Sequence, residues 1–403
     1  MSVFVRGSAR AVKSAPNRPV VSRMLGISWR TIGWVPMVCA ALLTVIGIAA
    51  IATTEPSMAA RQAAYAFVGV LAAALIVIPA PAVVERWSPH VFIVMLLLLI
   101  LLVLPGVPQS LVRPRNGSRC WIDLGPIDFQ PAEFAKIAWI LASAWWLRRA
   151  ADLRTRAGLL LPIVLTAVPV VLILLQPDLG TALLFFPTLL AMLLMQGARR
   201  THLVAVIVSA ALLAPATYPV LKPHQRARID ALVAQLTGDD RYTRSIGFQA
   251  DRARTLVGAG GLAGNGETDA RDLIRYNALP EEHNDMIFAV AACRWGLLGG
   301  LMLILLEVAL VGSALAIAVM TRSPFGRLVA TGIGSMIGFQ SFVNIGMTVG
   351  ILPITGLTLP FVSSGGTSLV ACWVAAGLLF AVAARDARVV GGMMGGSAAR
   401  VGI

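Results

Sequence analysis

Asp285 is the side chain best placed to move a proton. It stands in the run Leu279-Pro-Glu-Glu-His-Asn-Asp-Met-Ile-Phe288, at the seam between a long polar stretch and a long apolar one. Glu281, Glu282, His283 and Asn284 precede it directly. A carboxylate beside a membrane-length apolar segment is costly unless it meets water, a partner or a substrate, which favours a functional role. Asn and Asp are also good residues for helix N-termini, so a cap is the competing reading. Position alone does not separate the two.

Three further groups carry polar chemistry. The first is Arg119-Cys-Trp-Ile-Asp-Leu-Gly125, followed by Gln130-Pro-Ala-Glu133-Phe-Ala-Lys136. Pro131 suits the first position of a helix. Gln130, Glu133 and Lys136 recur every third residue and so share a helix face. An internal Glu133–Lys136 pair is the alternative to a substrate contact. The second group is Gln176-Pro-Asp178-Leu-Gly-Thr181, where Asp178 is either a ligand contact or a helix cap. The third is Pro360-Phe-Val-Ser363-Ser364-Gly365-Gly366-Thr367-Ser368, whose N–H groups could receive an anion or serve a helix start. Together the groups offer cations, a carboxylate and N–H donors, which suits a lipid substrate with an anionic head group.

The elements that position them are membrane helices. The 403 residues are 58% hydrophobic and only 13% charged, with mean hydropathy +0.81. A soluble domain carries about 25% charged residues. The pattern predicts an all-α polytopic membrane protein. A membrane helix needs about 20 apolar residues. Segments of that kind run from Ile32 to Ala52, Ala63 to Val84, Val91 to Val107, Ala132 to Leu147, Leu159 to Leu175, Thr181 to Gln196 and Leu203 to Leu221. Met286 to Met320, Leu328 to Ile351 and Ser368 to Ala384 follow, for about ten spans in a membrane domain over 31–385. The Met286–Met320 segment is too long for one straight crossing, and Gly296, Gly299 and Gly300 are candidate bends.

Residues 1–30 and 386–403 read as cytosolic tails, the first basic through Arg6, Arg10, Lys13, Arg18, Arg23 and Arg30. Arg86, Arg148, Arg149, Arg199, Arg200, Arg322 and Arg327 then fall on cytosolic connections, as the positive-inside rule requires. Arg113, Arg115 and Arg119 fall on the disfavoured outer side and suggest an anion to hold. Residues 222–284 form a long external loop, with a possible surface helix from Arg226 to Leu236. The glycine-rich run from Gly258 to Gly266 has no strand before it, so it reads as a tight loop that lets backbone approach a helix or ligand. The net charge of +14 is spread over span ends rather than one soluble face, which argues against nucleic acid. Cys39, Cys120, Cys293 and Cys372 show neither a disulfide framework nor a CxxC metal pattern.

The runs NGSRCWIDLG, FQPAEFAKIA, LQPDLGTA, GFQ with GAGGLAGNG, LPEEHNDMIFAV, WGLLGG and NIGMTVGILPITGLTLPFVSSGGTS lie in order from Asn116 to Ser368. In these the chain resembles the SEDS proteins RodA, FtsW and SpoVE, with a slight lean toward RodA. The resemblance implies a ten-span SEDS fold and a peptidoglycan glycosyltransferase of the bacterial cytoplasmic membrane. Such an enzyme polymerises lipid II into β-1,4 glycan strands at the outer face, for elongation or division. It implies Asp285 as the catalytic residue, the general base of an inverting transfer. Arg119, Gln130, Glu133, Lys136, Asp178, Gln249, His283, Ser363 and Ser364 are the implied substrate contacts. It implies a class B penicillin-binding protein as transpeptidase partner, contacts with membrane lipids, and a divalent cation (Mg or Mn) as a candidate cofactor. The chain departs from the family pattern at Asn284-Asp285-Met286, at Cys293-Arg294, at Arg252-Ala253 and at Ser364. The competing functions are a flippase for lipid-linked precursor and a scaffold for a cell-wall complex. The flippase would depend most on Glu133 and Lys136, and the scaffold would not need Asp285.

Overall fold

The computed structural model describes residues 29–398 except 80, 109, 113–117, 126, 151–152, 154, 218–225, 228–229 and 231–246. After a single turn at Trp29–Ile32, the chain forms α1 (Trp34–Thr54), α2 (Pro56–Val77) and α3 (Pro81–Val103). A two-stranded antiparallel ribbon follows, β1 (Ile122–Asp123) and β2 (Asp128–Phe129). Then come α4 (Pro131–Leu147), α5 (Arg156–Leu175), α6 (Leu179–Met195) and α7 (Arg200–Thr217). Two helices, α8 (Gly247–Ala259) and α9 (Gly266–Asn277), lie in the long loop, and α10 (Ile287–Met320), α11 (Pro324–Thr348) and α12 (Gly366–Ala398) close the chain. Of the expected Arg226–Leu236 helix only 226, 227 and 230 are described, all three helical, and Arg113, Arg115 and most of the N-terminal tail fall outside the described residues.

Seven helices are long and apolar enough to cross a membrane: α1, α2, α3, α5, α10, α11 and α12. Of the remaining expected spans, α6 is apolar but has 17 residues, and α4, also 17, carries Glu133 and Lys136. The second helix begins at Pro56, ahead of the expected Ala63. Its first turns, Ser-Met-Ala-Ala-Arg-Gln, look polar in sequence, but Pro56 at the helix start and buried Gln62 carry the helix through them.

Lipid is as apolar as leucine, so burial is not what sorts the helices. Close packing and polar contacts are. Helix α11 is largely enclosed and lies against α4, itself almost wholly buried, and against α6, α10 and α12. Gly332 sits so close to Ile140 of α4 that a Cβ there would come within 2.6 Å of it. Around this centre, α2, α3, α5 and α7 leave Phe67, Leu97, Leu160 and Leu212 exposed, as helices bathed in lipid do.

The chain bends as expected within α10, and the bend is at Gly296, with φ 68° and ψ −164°. The glycine-rich loop after α8 fills the break. Leu297 N–H donates to Gly261 O (2.9 Å) and Leu298 N–H to Leu262 O (3.3 Å), in place of their helical acceptors. Cys293 O in turn accepts from the backbone N–H (3.2 Å) and side-chain amide (3.0 Å) of Asn265. A helix interrupted near a membrane survives only when its freed backbone groups find protein partners, and this loop supplies them. Arg294 sits at the same junction. It donates to Ala49 O (2.6 Å) and Thr53 Oγ1 (2.8 Å) of α1 and pairs with Glu267 of α9 (2.7 Å). The Cys293-Arg294 departure thus ties the bent helix to α1 and the loop hairpin.

Candidate active site

All four polar groups gather at one end of the bundle, where α1, α5, α9 and α11 stop and α4, α6, α10 and α12 start. The acidic corner is a compact turn. Helix α9 ends at Ala278, in a left-handed conformation (φ 50°), and Glu281 takes another (φ 53°). Asn284 N–H and Met286 N–H both donate to Glu281 O, at 3.0 and 3.3 Å, and Gln249 Nε2 donates to Pro280 O at 3.2 Å. Helix α10 starts one residue later than expected, at Ile287, and its N-cap is Met286. Asp285 is therefore not the cap. It is 6% exposed and begins a run of fully enclosed residues through Cys293. Glu282 beside it is half-buried. Burial pushes its carboxyl upward, Thr54 opposes this by hydrogen bonding, and Glu55 adds to it.

The ribbon aims the first group. Ile122 pairs with Phe129, and Phe129 stacks on Phe134 with ring centres 5.4 Å apart. Thr367 at the start of α12 pins the ribbon by donating to Asp128 O (2.6 Å) and accepting from Gln130 N–H (3.3 Å). Pro131 then opens α4, as its fixed φ favours. Arg119, just before β1, is half-buried, and its Nε has no partner among the described residues. Gln130 reaches Asp178 Oδ2 at 3.5 Å. Asp178 accepts from Thr181 N–H at 3.0 Å and is the N-cap of α6, so the structure gives it the capping role. Burial pushes its carboxyl upward against that hydrogen bond.

Glu133 and Lys136 form a buried ion pair at 2.9 Å. Lys136 Nζ also donates to Gln340 Oε1 (3.3 Å) on α11. Four residues along α11, Asn344 Nδ2 donates to Asp285 O (2.8 Å) and to Leu357 O (2.7 Å). Another four along, Thr348 Oγ1 touches Met286 Sδ at 3.9 Å. Residues four apart share a helix face about 6 Å apart along its axis. One face of α11 therefore holds the buried cation pair and the Asp285 turn about one helical turn apart. The sequence reading missed Gln340 and Asn344. The available signal was an amide repeated at spacing four within an apolar helix.

The pair makes a prediction. Removing one member of a buried ion pair costs about 3–5 kcal/mol, because the other is left unpaired. Lys136→Met should lower the thermal midpoint of the purified protein sharply, and adding Glu133→Gln should restore most of the loss. Activity should remain reduced in the double variant, because Lys136 no longer holds Gln340 on the face of α11 that carries the Asp285 turn. A double variant that is both stable and fully active would make the pair structural only.

The Ser363–Gly366 turn differs from its expected use. Three of its N–H groups are already committed: Ser363 to Leu359 O (3.0 Å), Ser364 to His283 O (2.8 Å) and Gly365 to Gln62 Oε1 (3.2 Å). Ser363 Oγ accepts from Leu359 N–H (2.7 Å), and Gln62 Nε2 donates to Ser363 O (2.8 Å). These three N–H groups cannot also receive an anion. They anchor the acidic corner to α2 through Ser364, Gly365 and Gln62. His283 is half-buried, with its backbone oxygen serving Ser364.

Among the described residues, no three or more His, Cys, Asp or Glu side chains are arranged so that they could hold a metal ion by themselves.

Comparison with known proteins agrees with this architecture. Residues 23–388 match the family model for FtsW, RodA and SpoVE, described as cell cycle protein. The chain is similar to the probable peptidoglycan glycosyltransferase FtsW of Nitrosococcus halophilus, 36% identical over 74% of this chain and 75% of that one. It is 34% identical to stage V sporulation protein E of Bacillus subtilis, over 80% and 86% of the two chains. It is 33% identical to the peptidoglycan glycosyltransferase MrdB of Escherichia coli, over 75% and 79%. Among solved structures, a chain from a peptidoglycan synthase complex described as coordinating polymerization and crosslinking superposes with TM-score 0.75 at 31% identity. That match covers 88% of this chain and 98% of the other. The rod shape determining protein RodA of Thermus thermophilus superposes with TM-score 0.64 at 28% identity, over 88% and 96%.

Proposed function

The chain belongs to the FtsW, RodA and SpoVE family and is a peptidoglycan glycosyltransferase of the bacterial cytoplasmic membrane, and from that premise we propose that Asp285 is its general base. The substrate is lipid II and the product a β-1,4 glycan strand. The acceptor sugar's hydroxyl oxygen attacks the donor's anomeric carbon. The new C–O bond forms as the bond to the diphosphate breaks, and the lipid diphosphate leaves with that electron pair. The hydroxyl proton passes to the Asp285 carboxylate. One displacement inverts the anomeric centre, from the α-linked donor to the β-linked product.

The observation that carries this reading is the placement of Asp285. It is a buried carboxyl whose backbone is held by α11, at the end of the bundle that also carries Arg119 and the Glu133–Lys136 pair. Arg119 is the candidate for the charge that develops on the leaving diphosphate, because Lys136 is already paired with Glu133. Gln130 and Gln249 tie neighbouring turns at the same end, through Asp178 Oδ2 and Pro280 O, and His283 holds Ser364 through its backbone oxygen. Asp178, Ser363 and Ser364 act by holding the turns in place.

The spans number ten, α1–α7 and α10–α12, with both termini cytosolic. Arg148, Arg149, Arg322 and Arg385 then lie at the cytosolic end, and Asp285 faces outward. The protein works beside a class B penicillin-binding protein that crosslinks the strand. The test is purified full-length protein incubated with labelled lipid II, with and without that partner. Polymer longer than the dimer is expected, increased by the partner. Lipid movement across vesicles without any polymer would establish the flippase instead.

A further inference from the structure

We infer that Asn344 is a positioning residue for the proposed base, and that Gln340 and Asn344 together make α11 the template that spaces Asp285 from the buried cation. This rests on the assignment of Asp285 above. Asn344 is fully buried, and its amide donates to two carbonyls that no helix serves, Asp285 O at 2.8 Å and Leu357 O at 2.7 Å. These come from the two irregular segments that frame the site, the turn before α10 and the loop before α12. One side chain thus fixes both against a third element.

Gln340 does the same one turn earlier. Its oxygen accepts from Lys136, and its nitrogen donates to Thr358 O at 2.9 Å, next to Leu357. The two amides share one α11 face and bind neighbouring residues of one loop. On its other side Asn344 holds the backbone of the proposed base, and Gln340 holds the paired Lys136 ammonium. Rotation or sliding of α11 would therefore carry the acid and the ammonium together. Substitution of one amide alone would change their separation. A misplacement of about 1 Å in such an arrangement can cost 10²-fold in rate.

The discriminating variant is Asn344→Asp. It keeps the size of the side chain, but a carboxyl buried against two carbonyl oxygens is held protonated and has a single O–H, so at most one of the two hydrogen bonds survives. With purified full-length protein and labelled lipid II, kcat should fall by about 10- to 100-fold with KM within about threefold. The acid limb of the kcat–pH profile should also move, because the base sits in altered surroundings. A role in folding alone would lower yield and thermal midpoint but leave kcat per folded molecule and the acid limb unchanged. Should Asn344→Asp not accumulate, Asn344→Thr keeps one short donor and reads the same constants.

Wild-type kcat and pH profile in a folded variant would overturn the inference, as would a change in KM alone. Asp285→Asn run in parallel separates the two assignments. If it polymerises normally, the base assignment fails and this inference with it. If it is inactive while Asn344→Asp behaves as wild type, only the positioning role falls.

Discussion

Asp285→Asn should yield a protein that inserts, folds and binds lipid II but makes no glycan. Asparagine has nearly the shape of aspartate, so the enclosed run from residue 285 to 293 keeps its packing. The backbone oxygen that Asn344 grips is untouched. What disappears is the ability to accept a proton from the attacking hydroxyl. A positioned general base contributes roughly 10²–10⁴-fold, so the turnover should drop by about 10³ or beyond detection. The KM for lipid II should move little, because neither Arg119 nor the Glu133–Lys136 pair is altered. The measurement is product chain length on a gel alongside the thermal midpoint of each purified protein. Normal polymer from Asp285→Asn would remove the base assignment. Loss of folding instead would be read against Asp285→Glu, which retains a carboxylate on a longer stem.

Several parts of this site were legible before the structure, for identifiable physical reasons. Asp285 stood out because an acid at the edge of a long apolar run is either a helix cap or a functional group, and position alone left both open. Glu133 and Lys136 were legible as a pair because spacing three puts them on one helix face, and they meet at 2.9 Å. The glycine-rich run was legible as a close-approach loop, and a Cβ at Gly260 would lie 2.0 Å from Ala292 O. What it approaches could not be read, because the partner is a break in a helix 30 residues on. Gln340 and Asn344 escaped notice for a similar reason. A lone amide in an apolar helix has no local partner, and its role appears only when residues 285 and 357 are brought against it. The role of the Ser363–Gly366 turn was left open between an anion site and a helix start, because its hydroxyls and glycines suit both locally. Three of its N–H groups are taken by Leu359, His283 and Gln62, two of them far away in the chain.

Gly296→Ala should be among the most damaging single-methyl changes in the chain. Helix α10 has 34 residues, roughly 51 Å if straight, against about 30 Å of hydrocarbon. The bend lets the segment from Cys293 to Gly296 leave the crossing direction and pack beneath the loop hairpin. At Gly296 the backbone has φ 68° and ψ −164°, a region that side chains other than glycine's hardly enter. Strain of this kind costs about 1–3 kcal/mol. Space adds to it. A Cβ at Gly296 would lie 2.4 Å from Gly264 N and 2.5 Å from Leu262 O, both backbone atoms of the loop that completes the helix. The loop cannot retreat without giving up its bonds to Leu297 and Leu298. Each freed buried backbone group costs roughly another 1–3 kcal/mol. The variant should therefore accumulate poorly and lose its thermal transition in detergent. Gly300→Ala is the control. Its Cβ would meet only Phe288 at 3.4 Å, within ordinary helix, so it should fold and retain activity. If Gly296→Ala instead proved as stable as Gly300→Ala, α10 could straighten without cost. The bend would then have no part in presenting Asp285, eleven residues earlier in the chain.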